Sequence, residues 1–397
     1  MAERTNSKNP TRIAVVGCGN MGNQHVAYLT AMAGAELAAV CDVVESRAQA
    51  AAERGSCRWY TDTRRMYDDA EPDAVLIATP HYDHVPLAVE AMQRGIHVLV
   101  EKPLAVEAAA AREAIAAYEK AKRSHPDLVF AAMFNQRTYG YWLKIKDLID
   151  SGDLGRRVRA TWIITDWFRT QHYFSTGSWR ATWAGEGGGV LMNQCPHNLD
   201  LYQWFFGIPK SVRAFASLGK YHDIEVEDEV TAYLEHENGM VGHFITSTGE
   251  SPGTNRLEIV GEHGKLVFEN GRLDLMRNRI SMLDLIRDSK KSFTHVESWP
   301  TEVPFTHHGE GGHRIVTERF LAAVRGEAEV VAGGVDGVYS VLLANAMLFS
   351  SLEGRAVELP MDEAAFGTRL EELRAGSRYR PGDSSGDAGV EDLAGTY

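Results

Sequence analysis

Four cysteines in 397 residues, Cys18, Cys41, Cys57 and Cys195, form no C-x-x-C pair. Reduced thiols are expected, with neither a disulfide framework nor a thiolate zinc site. Positive charge is also short: 41 Lys and Arg face 54 Asp and Glu, a formal net charge of −13. That balance argues against a general nucleic-acid binder, which needs a basic surface for phosphates. No apolar run reaches the length of a membrane span, and the polar start lacks a signal peptide's apolar segment. A soluble, cytoplasmic protein without a membrane partner is expected. Internal repeats are missing, as is any ligand spacing convincing for a metal.

What is present is 44% hydrophobic residues, enough in a chain of this length to bury two cores. The first part alternates strand patterns at 12–16, 37–42, 74–78, 96–100 and 129–134 with helical patterns at 23–32, 86–94 and 106–123. Such alternation predicts a parallel sheet covered by helices. After a helical stretch at 141–149 the rhythm changes. Strand patterns at 156–165, 211–218, 229–235, 240–248, 256–260 and 265–268 follow, joined by turns such as Asn238-Gly239 and Glu262-His263-Gly264. Hairpin turns predict an antiparallel meander. Two late helices are expected at 312–325 and 335–352. The fold class is therefore α/β plus α+β, an N-terminal Rossmann dinucleotide-binding domain followed by a large, open, mostly antiparallel sheet. The expected divisions are a leader at 1–10, the Rossmann domain at 11–134, a second domain at 135–375 and a flexible tail at 376–397.

The stretch Ile96 to Val100 reads as a buried strand that delivers Glu101-Lys102-Pro103 at its carboxyl end. Unpaired charges are costly to bury, and ligands of open α/β sheets bind beyond the carboxyl ends of the strands. A lysine aimed at a ligand is the functional reading. Upstream, the first strand runs directly into Gly17-Cys18-Gly19-Asn20-Met21-Gly22 and a helix. In this fingerprint the first Gly makes the turn, the second admits the pyrophosphate and the third lets helix and strand pack. The second strand ends in Asp42, 20 residues beyond Gly22. An acid there can accept from an adenosine ribose and repel a 2′-phosphate, which favours NAD over NADP, although Arg47 is near.

Together with Thr79-Pro80-x-x-x-His84, these motifs resemble the Gfo/Idh/MocA oxidoreductases, a family that includes glucose–fructose oxidoreductase and the inositol dehydrogenases. The similarity runs from about Thr11 to Val357, and Glu101-Lys102-Pro103 is its most specific mark. It implies that Glu101 and Pro103 shape the nicotinamide site and that Lys102 meets the reacting hydroxyl. Cofactor contacts are assigned to Gly17, Gly19, Asn20, Met21, Gly22, Asp42, Thr79, Pro80, His84, Glu101 and Lys102. His81 stands where the family often has Asn.

A second constellation follows Gly187-Gly188-Gly189: Asn193 and His197, four apart on a helix expected to end at Gly207. It matches the family's Asp-x-x-x-His motif with Asn193 in place of Asp. The resemblance makes His197 the acid/base group, and Asn193 can orient it without adding charge. Lys102 and the cationic nicotinamide should lower its pKa. Asp200 is expected on the helix face or behind the site. Trp162, Trp167, Phe168, Tyr173, Phe174, Trp179 and Trp183 are interleaved with Arg169, Gln171, His172 and Arg180. Flat apolar faces beside polar groups suit a sugar ring, and aromatic residues equally suit a core or an interface.

These observations point to an NAD-dependent dehydrogenase acting on a secondary hydroxyl of a cyclic sugar, anhydrosugar or cyclitol. Lys102 and His197 are the expected catalytic pair, and Asn193, Gln136, Trp167 and Arg180 the substrate contacts. Tyr339 and His313 can reach in from the late helices. The Asn193-x-x-x-His197 form is similar to members acting on sugar-ring carbons, levoglucosan dehydrogenase among them. An NAD-dependent redox-assisted glycoside hydrolase and a non-catalytic NAD-binding regulator are the alternatives. A homodimer or homotetramer is expected, because a large open sheet leaves a face and an edge to protect.

Overall fold

Short strands that are apolar on both faces need cover on both faces, which flanking helices provide. The structure, a computed structural model, describes residues 10–175, 179–306 and 312–378. Six such strands form its first sheet: β1 (Thr11–Val16), β2 (Ala35–Cys41), β3 (Arg58–Tyr60), β4 (Ala74–Ile77), β5 (His97–Val100) and β6 (Phe130–Ala132). They lie in the order β3-β2-β1-β4-β5-β6, all parallel. The order reverses between β1 and β4, so a crevice opens beyond their carboxyl ends. β3 escapes the sequence reading because two of its three residues are exposed and leave no apolar run.

The second sheet contains β7 (Arg157–Ile164), β8 (Ser211–Leu218), β9 (Glu227–Glu235), β10 (Val241–Ser247), β11 (Asn255–Gly261), β12 (Gly264–Glu269), β13 (Arg272–Asn278), β14 (Ser298–Glu302) and β15 (Val357–Glu358). Its order is β14-β13-β12-β11-β7-β10-β9-β8-β15. The expected meander holds for β8 to β10 and for β11 to β14. Between these two runs sits β7, parallel to β10 and antiparallel to β11. Alternation sets the faces: Val230, Ala232 and Leu234 of β9 are buried while Thr231 and Tyr233 are exposed.

Helix Gly337–Leu352 covers the inner face and is apolar on nearly every side because all but Tyr339 and its last two residues are buried. The segment Gly334–Leu352 is long and apolar enough to cross a membrane, contrary to the expectation from the sequence, yet 72% of its apolar window is buried inside the fold. It is a core helix. The chain also returns to the first sheet: Val316, Phe320 and Leu321 of helix Gly312–Val324 join Ile13, Val15, Leu29 and Leu99 in one apolar cluster. All but the last residue of the expected leader (1–10) and most of the expected tail (376–397) lie outside the described residues. At the tail's start Ser377 is buried, and the Arg378 N–H donates to Glu225 at 2.9 Å.

Arg137, just after β6, ties the two halves together. Its Nη2 and Nε donate to the two oxygens of Asp200 at 2.6 and 2.8 Å, and its Nη1 donates to Asp336 at 2.9 Å. Burial raises the Asp200 pKa, and the Arg137 charge opposes that rise. Removing the cation leaves a fully buried carboxylate without its counter-charge. Arg137→Ala is expected to cost about 3–5 kcal/mol in urea unfolding. A loss below about 1 kcal/mol, the range of a surface ion pair, would contradict this account.

Candidate active site

The glycine loop after β1 is shaped by three separate restrictions. Gly17 has φ +91°, and a Cβ there would lie 2.6 Å from the Ala78 carbonyl oxygen. A Cβ on Gly22 would fall 1.8 Å from the Gly17 oxygen, so the helix can seat against the loop only with glycine. Gly19 is different: a Cβ there meets nothing within 4 Å, which marks the open side where a ligand can approach the backbone. Gly19 is the N-cap of helix Asn20–Thr30 and offers no side chain to its first turn, the arrangement that suits an anion. Asp42 accepts from the Cys18 and Val44 N–H groups, both at 2.8 Å. A carboxylate has about four acceptor positions, so capacity is left for ribose hydroxyls. These residues fit an adenine dinucleotide.

On the other side of the crevice the carboxyl ends of β4 and β5 are stapled together. His84 faces the Pro103 carbonyl through Nδ1 at 2.7 Å and the Thr79 carbonyl through Nε2 at 2.8 Å. Its ring nitrogens are thus engaged with backbone, and its role here is to hold two loops rather than to present a free nitrogen. Burial lowers its pKa, and the two carbonyls offset part of that. The Thr79 hydroxyl is buried without a hydrogen-bond partner among the described residues. Glu101 meets His25 Nε2 at 2.7 Å. Burial alone would raise the Glu101 pKa, but the His25 hydrogen bond and charge, with His313 and Lys102, take it to about 2. Glu101 is an ionised anchor.

Lys102 is half-buried, and its Nζ donates to the Asn193 carbonyl at 2.7 Å. Burial lowers its pKa, Glu101 and Glu186 raise it, and Arg169 and Arg180 lower it. The single helix expected from the triple glycine to Gly207 is in fact two, Val190–Asn193 and Pro196–Phe206. Pro196 at the start of the second lacks an N–H and cannot continue the first. Asn193 and His197 therefore do not share one helix face, and Asn193 does not orient the imidazole. The Asn193 Nδ2 donates instead to the Glu186 carboxylate, and the Tyr173 hydroxyl lies 3.5 Å from Asn193 Oδ1.

His197 is 2% exposed, packs edge-on to Phe134, and has no hydrogen-bond partner on either ring nitrogen among the described residues. Burial, then the charges of Lys102 and His313, push its pKa well below the usual histidine range. A buried polar group left unpaired costs about 1–3 kcal/mol, so its persistence needs a reason. A neutral base held near a lysine ammonium can exchange a proton with a ligand hydroxyl.

The aromatic segment divides. Trp162 and Trp183 belong to the core, whereas Trp167, Tyr173 and Trp179 are half-buried and Phe168 is exposed. The Arg169 guanidinium stacks on Trp167 and Tyr173 at 5.7 and 5.1 Å, and that of Arg180 on Tyr173 and Trp179 at 4.8 and 5.6 Å. The Trp167 Nε1 is buried without a partner among the described residues. Gln136 is half-buried in the turn after β6. His313 is buried 6.0 Å from the His25 ring, while Tyr339 is 39% exposed. Sequence reasoning missed His25, Glu186 and Asn198, all buried and polar. His25 lies on the same helix face as Gly22, Val26 and Leu29, and a histidine on an apolar stripe was the available signal.

A family model described as "Oxidoreductase family, NAD-binding Rossmann fold" matches residues 11–125, and one described as "GFO/IDH/MocA C-terminal domain" matches 142–267. Inositol 2-dehydrogenase 2 of Saccharopolyspora erythraea is 31% identical, over 64% of this chain and 72% of that protein. Levoglucosan dehydrogenase of Pseudarthrobacter phenanthrenivorans is 26% identical, over 89% of this chain and 99% of that protein. Among solved structures, the WlbA dehydrogenase of Bordetella pertussis, in complex with NADH and UDP-GlcNAcA, superposes with a TM-score of 0.74. It is 25% identical and covers 89% of this chain and all of that one. The chain belongs to the GFO/IDH/MocA family and is an NAD-binding oxidoreductase of the sugar and cyclitol dehydrogenase type.

Proposed function

We propose that the protein oxidises a secondary hydroxyl of a cyclic sugar, anhydrosugar or cyclitol. The observation that carries this reading is the buried His197 imidazole, unpartnered on both nitrogens among the described residues and close enough to Lys102 to feel its charge. NAD, when bound, supplies the hydride acceptor. Gly17, Gly19, Asn20, Met21, Gly22 and Asp42 hold its adenosine diphosphate half, and Thr79, Pro80, Glu101 and Lys102 shape the nicotinamide end. His197 takes the hydroxyl proton, and Lys102 donates to the same oxygen and stabilises its growing negative charge. Asn193, Gln136, Trp167 and Arg180 contact the ring. Relatives named for inositol and levoglucosan support a cyclic polyol.

The test is a panel of cyclic polyols and sugars with NAD, followed by absorbance of the reduced cofactor. Cofactor binding without turnover would indicate a regulator, and sugar release without NADH a redox glycosidase. NAD should be preferred to NADP, and Asp42→Ala should narrow that preference by removing the repulsion of a 2′-phosphate. Better kinetics with NADP in the unmodified protein would sink this part.

The pH dependence follows from His197. Its folded pKa is lowered, so it is an unprotonated base at neutral pH, and the rate falls only as acid protonates it below the ordinary histidine range. His197→Ala should lower kcat about 10²–10⁴-fold and abolish that acidic limb. Lys102→Ala should lower kcat about 10²–10³-fold while NAD binding persists. Near-full activity of His197→Ala with an unchanged profile would move the proton elsewhere.

We also propose a homodimer or homotetramer. On the outward face of the second sheet Phe215, Thr231, Ile245 and Ile163 align across β8, β9, β10 and β7, with Phe215 64% exposed. An apolar row of this kind on an open sheet favours burial against a second copy. Sedimentation should give a multiple of the chain mass, and a strictly monomeric species would refute the assembly.

A further inference from the structure

Glu186 is 1% exposed, and nothing in the motifs of the chain announces it. The loop around it is closed on its carboxyl group. The Ala181 N–H donates to Oε2 at 2.7 Å, and the Asn193 amide donates to Oε1. Its backbone carbonyl faces His81 Nδ1 at 3.0 Å, which ties the same loop to the carboxyl end of β4. The backbone carbonyl of the same Asn193 accepts from the Lys102 ammonium at 2.7 Å. Burial raises the Glu186 pKa, and the Asn193 and Ala181 hydrogen bonds with the charges of Arg180 and Lys102 oppose that rise. As a carboxylate it can only accept, so the Asn193 amide presents its nitrogen to Glu186 and leaves Oδ1 toward the Tyr173 hydroxyl.

We propose that Glu186 is a positioning residue for the reacting centre, supplying through Asn193 the negative charge that sits behind Lys102 and fixing the Asn193 amide with its oxygen toward substrate. The inference rests on the reading of Lys102 as the group that meets the hydroxyl. The anion of the family's Asp-x-x-x-His pattern is then not lost where Asn193 replaces Asp. It is moved one side chain back and coupled to Lys102 instead of to His197, whose charged neighbours are Lys102, His313 and Glu101.

The charges around the pair are mixed. Lys102 faces Glu101 from its own segment, Glu186, Arg169 and Arg180 from the loops across the crevice, and His81, His197 and His313. Glu186 faces Lys102 and Arg180, and beyond the triple glycine it faces Glu227. Glu227 accepts from the Gly189 and Leu191 N–H groups, and burial pushes its pKa up to about 7. Of the two carboxylates on Lys102, only Glu186 can be removed without breaking the Glu101–His25 pair. An anion near an ammonium favours its charged form, so neutralising Glu186 makes Lys102 lose its proton at lower pH.

The experiment compares Glu186→Gln, Asn193→Asp and the double variant with the unmodified protein. The first readout is competitive acylation of the Lys102 amine against pH in the cofactor-free protein, which reports its ionisation without any turnover. The second is the pH profile of kcat/KM with NAD and an accepted polyol. Glu186→Gln should move the Lys102 labelling midpoint to lower pH, carry the alkaline limb with it and lower kcat about tenfold. Asn193→Asp sets two carboxylates against each other and should also be impaired. In the double variant one anion again faces one amide with the roles exchanged, and midpoint and kcat should recover toward the unmodified values. An unchanged midpoint in Glu186→Gln, or a double variant as impaired as its two parents combined, overturns the proposal. Should Glu186→Gln fail to fold, the double variant carries the test: a folded protein with a restored midpoint supports it, and a folded protein with the midpoint still lowered overturns it. If no polyol is oxidised by the unmodified protein, the dehydrogenase reading fails while labelling still decides the coupling of Glu186 to Lys102.

Discussion

A carboxylate carried to the end of a buried strand must be paired or protonated, and the pairing of Glu101 with His25 decides much of what surrounds it. The contact joins the end of β5 to the helix that follows the glycine loop, with a 2.7 Å approach at a site that excludes water. It keeps Glu101 charged, and a charged Glu101 helps keep Lys102 an ammonium despite its own burial. The same helix packs against the loop through Gly22. The glycine loop and Lys102 are thus tied to each other through one helix.

The second half of the site is held by different means. The loop carrying Glu186 and Asn193 is anchored on buried carboxylates that accept backbone N–H groups: Glu186 from Ala181 and Glu227 from Gly189 and Leu191. Close packing explains the triple glycine, since a Cβ on Gly189 would lie 1.9 Å from the Glu227 carbonyl oxygen. Behind it, Arg137 fixes the register of helix Pro196–Phe206 against the end of the first sheet. His197 is therefore delivered by a helix whose position is set by a bidentate ion pair one turn further on. Asp200, expected on the helix face or behind the site, takes this anchoring role.

Local chemistry was the legible part of the sequence. The glycine fingerprint, Asp42, and Glu101-Lys102-Pro103 each carry their signal within a few residues, and the structure places them beyond the carboxyl ends of β1, β2 and β5 in one parallel sheet. What depended on distant partners was not legible. The break between Asn193 and His197 was available in Pro196, but helical spacing alone overrode it. The insertion of β7 between β10 and β11 has no local signature, because its alternation suits either neighbour. β14 was missed because an exposed edge strand lacks an apolar alternation, whereas β13, paired on both sides, does alternate at Leu273 and Leu275 over a stretch too short to stand out. Glu186 carries no motif at all: its importance arises only when the fold places it against Asn193.

That last case bears on how a substituted motif should be read. Replacing an aspartate by asparagine removes a charge from a sequence pattern, and taken alone it implies a weaker site. In a closed, buried pocket the relevant quantity is the net charge felt by the lysine and the histidine, and it can be supplied from any direction. Here the histidine lies in a field of Lys102 and His313 opposed by Glu101 and has no carboxylate among its hydrogen-bond partners. The lysine has two carboxylates, Glu101 and Glu186. Such a division favours a neutral imidazole, while the two carboxylates oppose the loss of the ammonium charge that burial promotes. In the proposed reaction, proton acceptance by His197 and oxyanion stabilisation by Lys102 require that pair of states together.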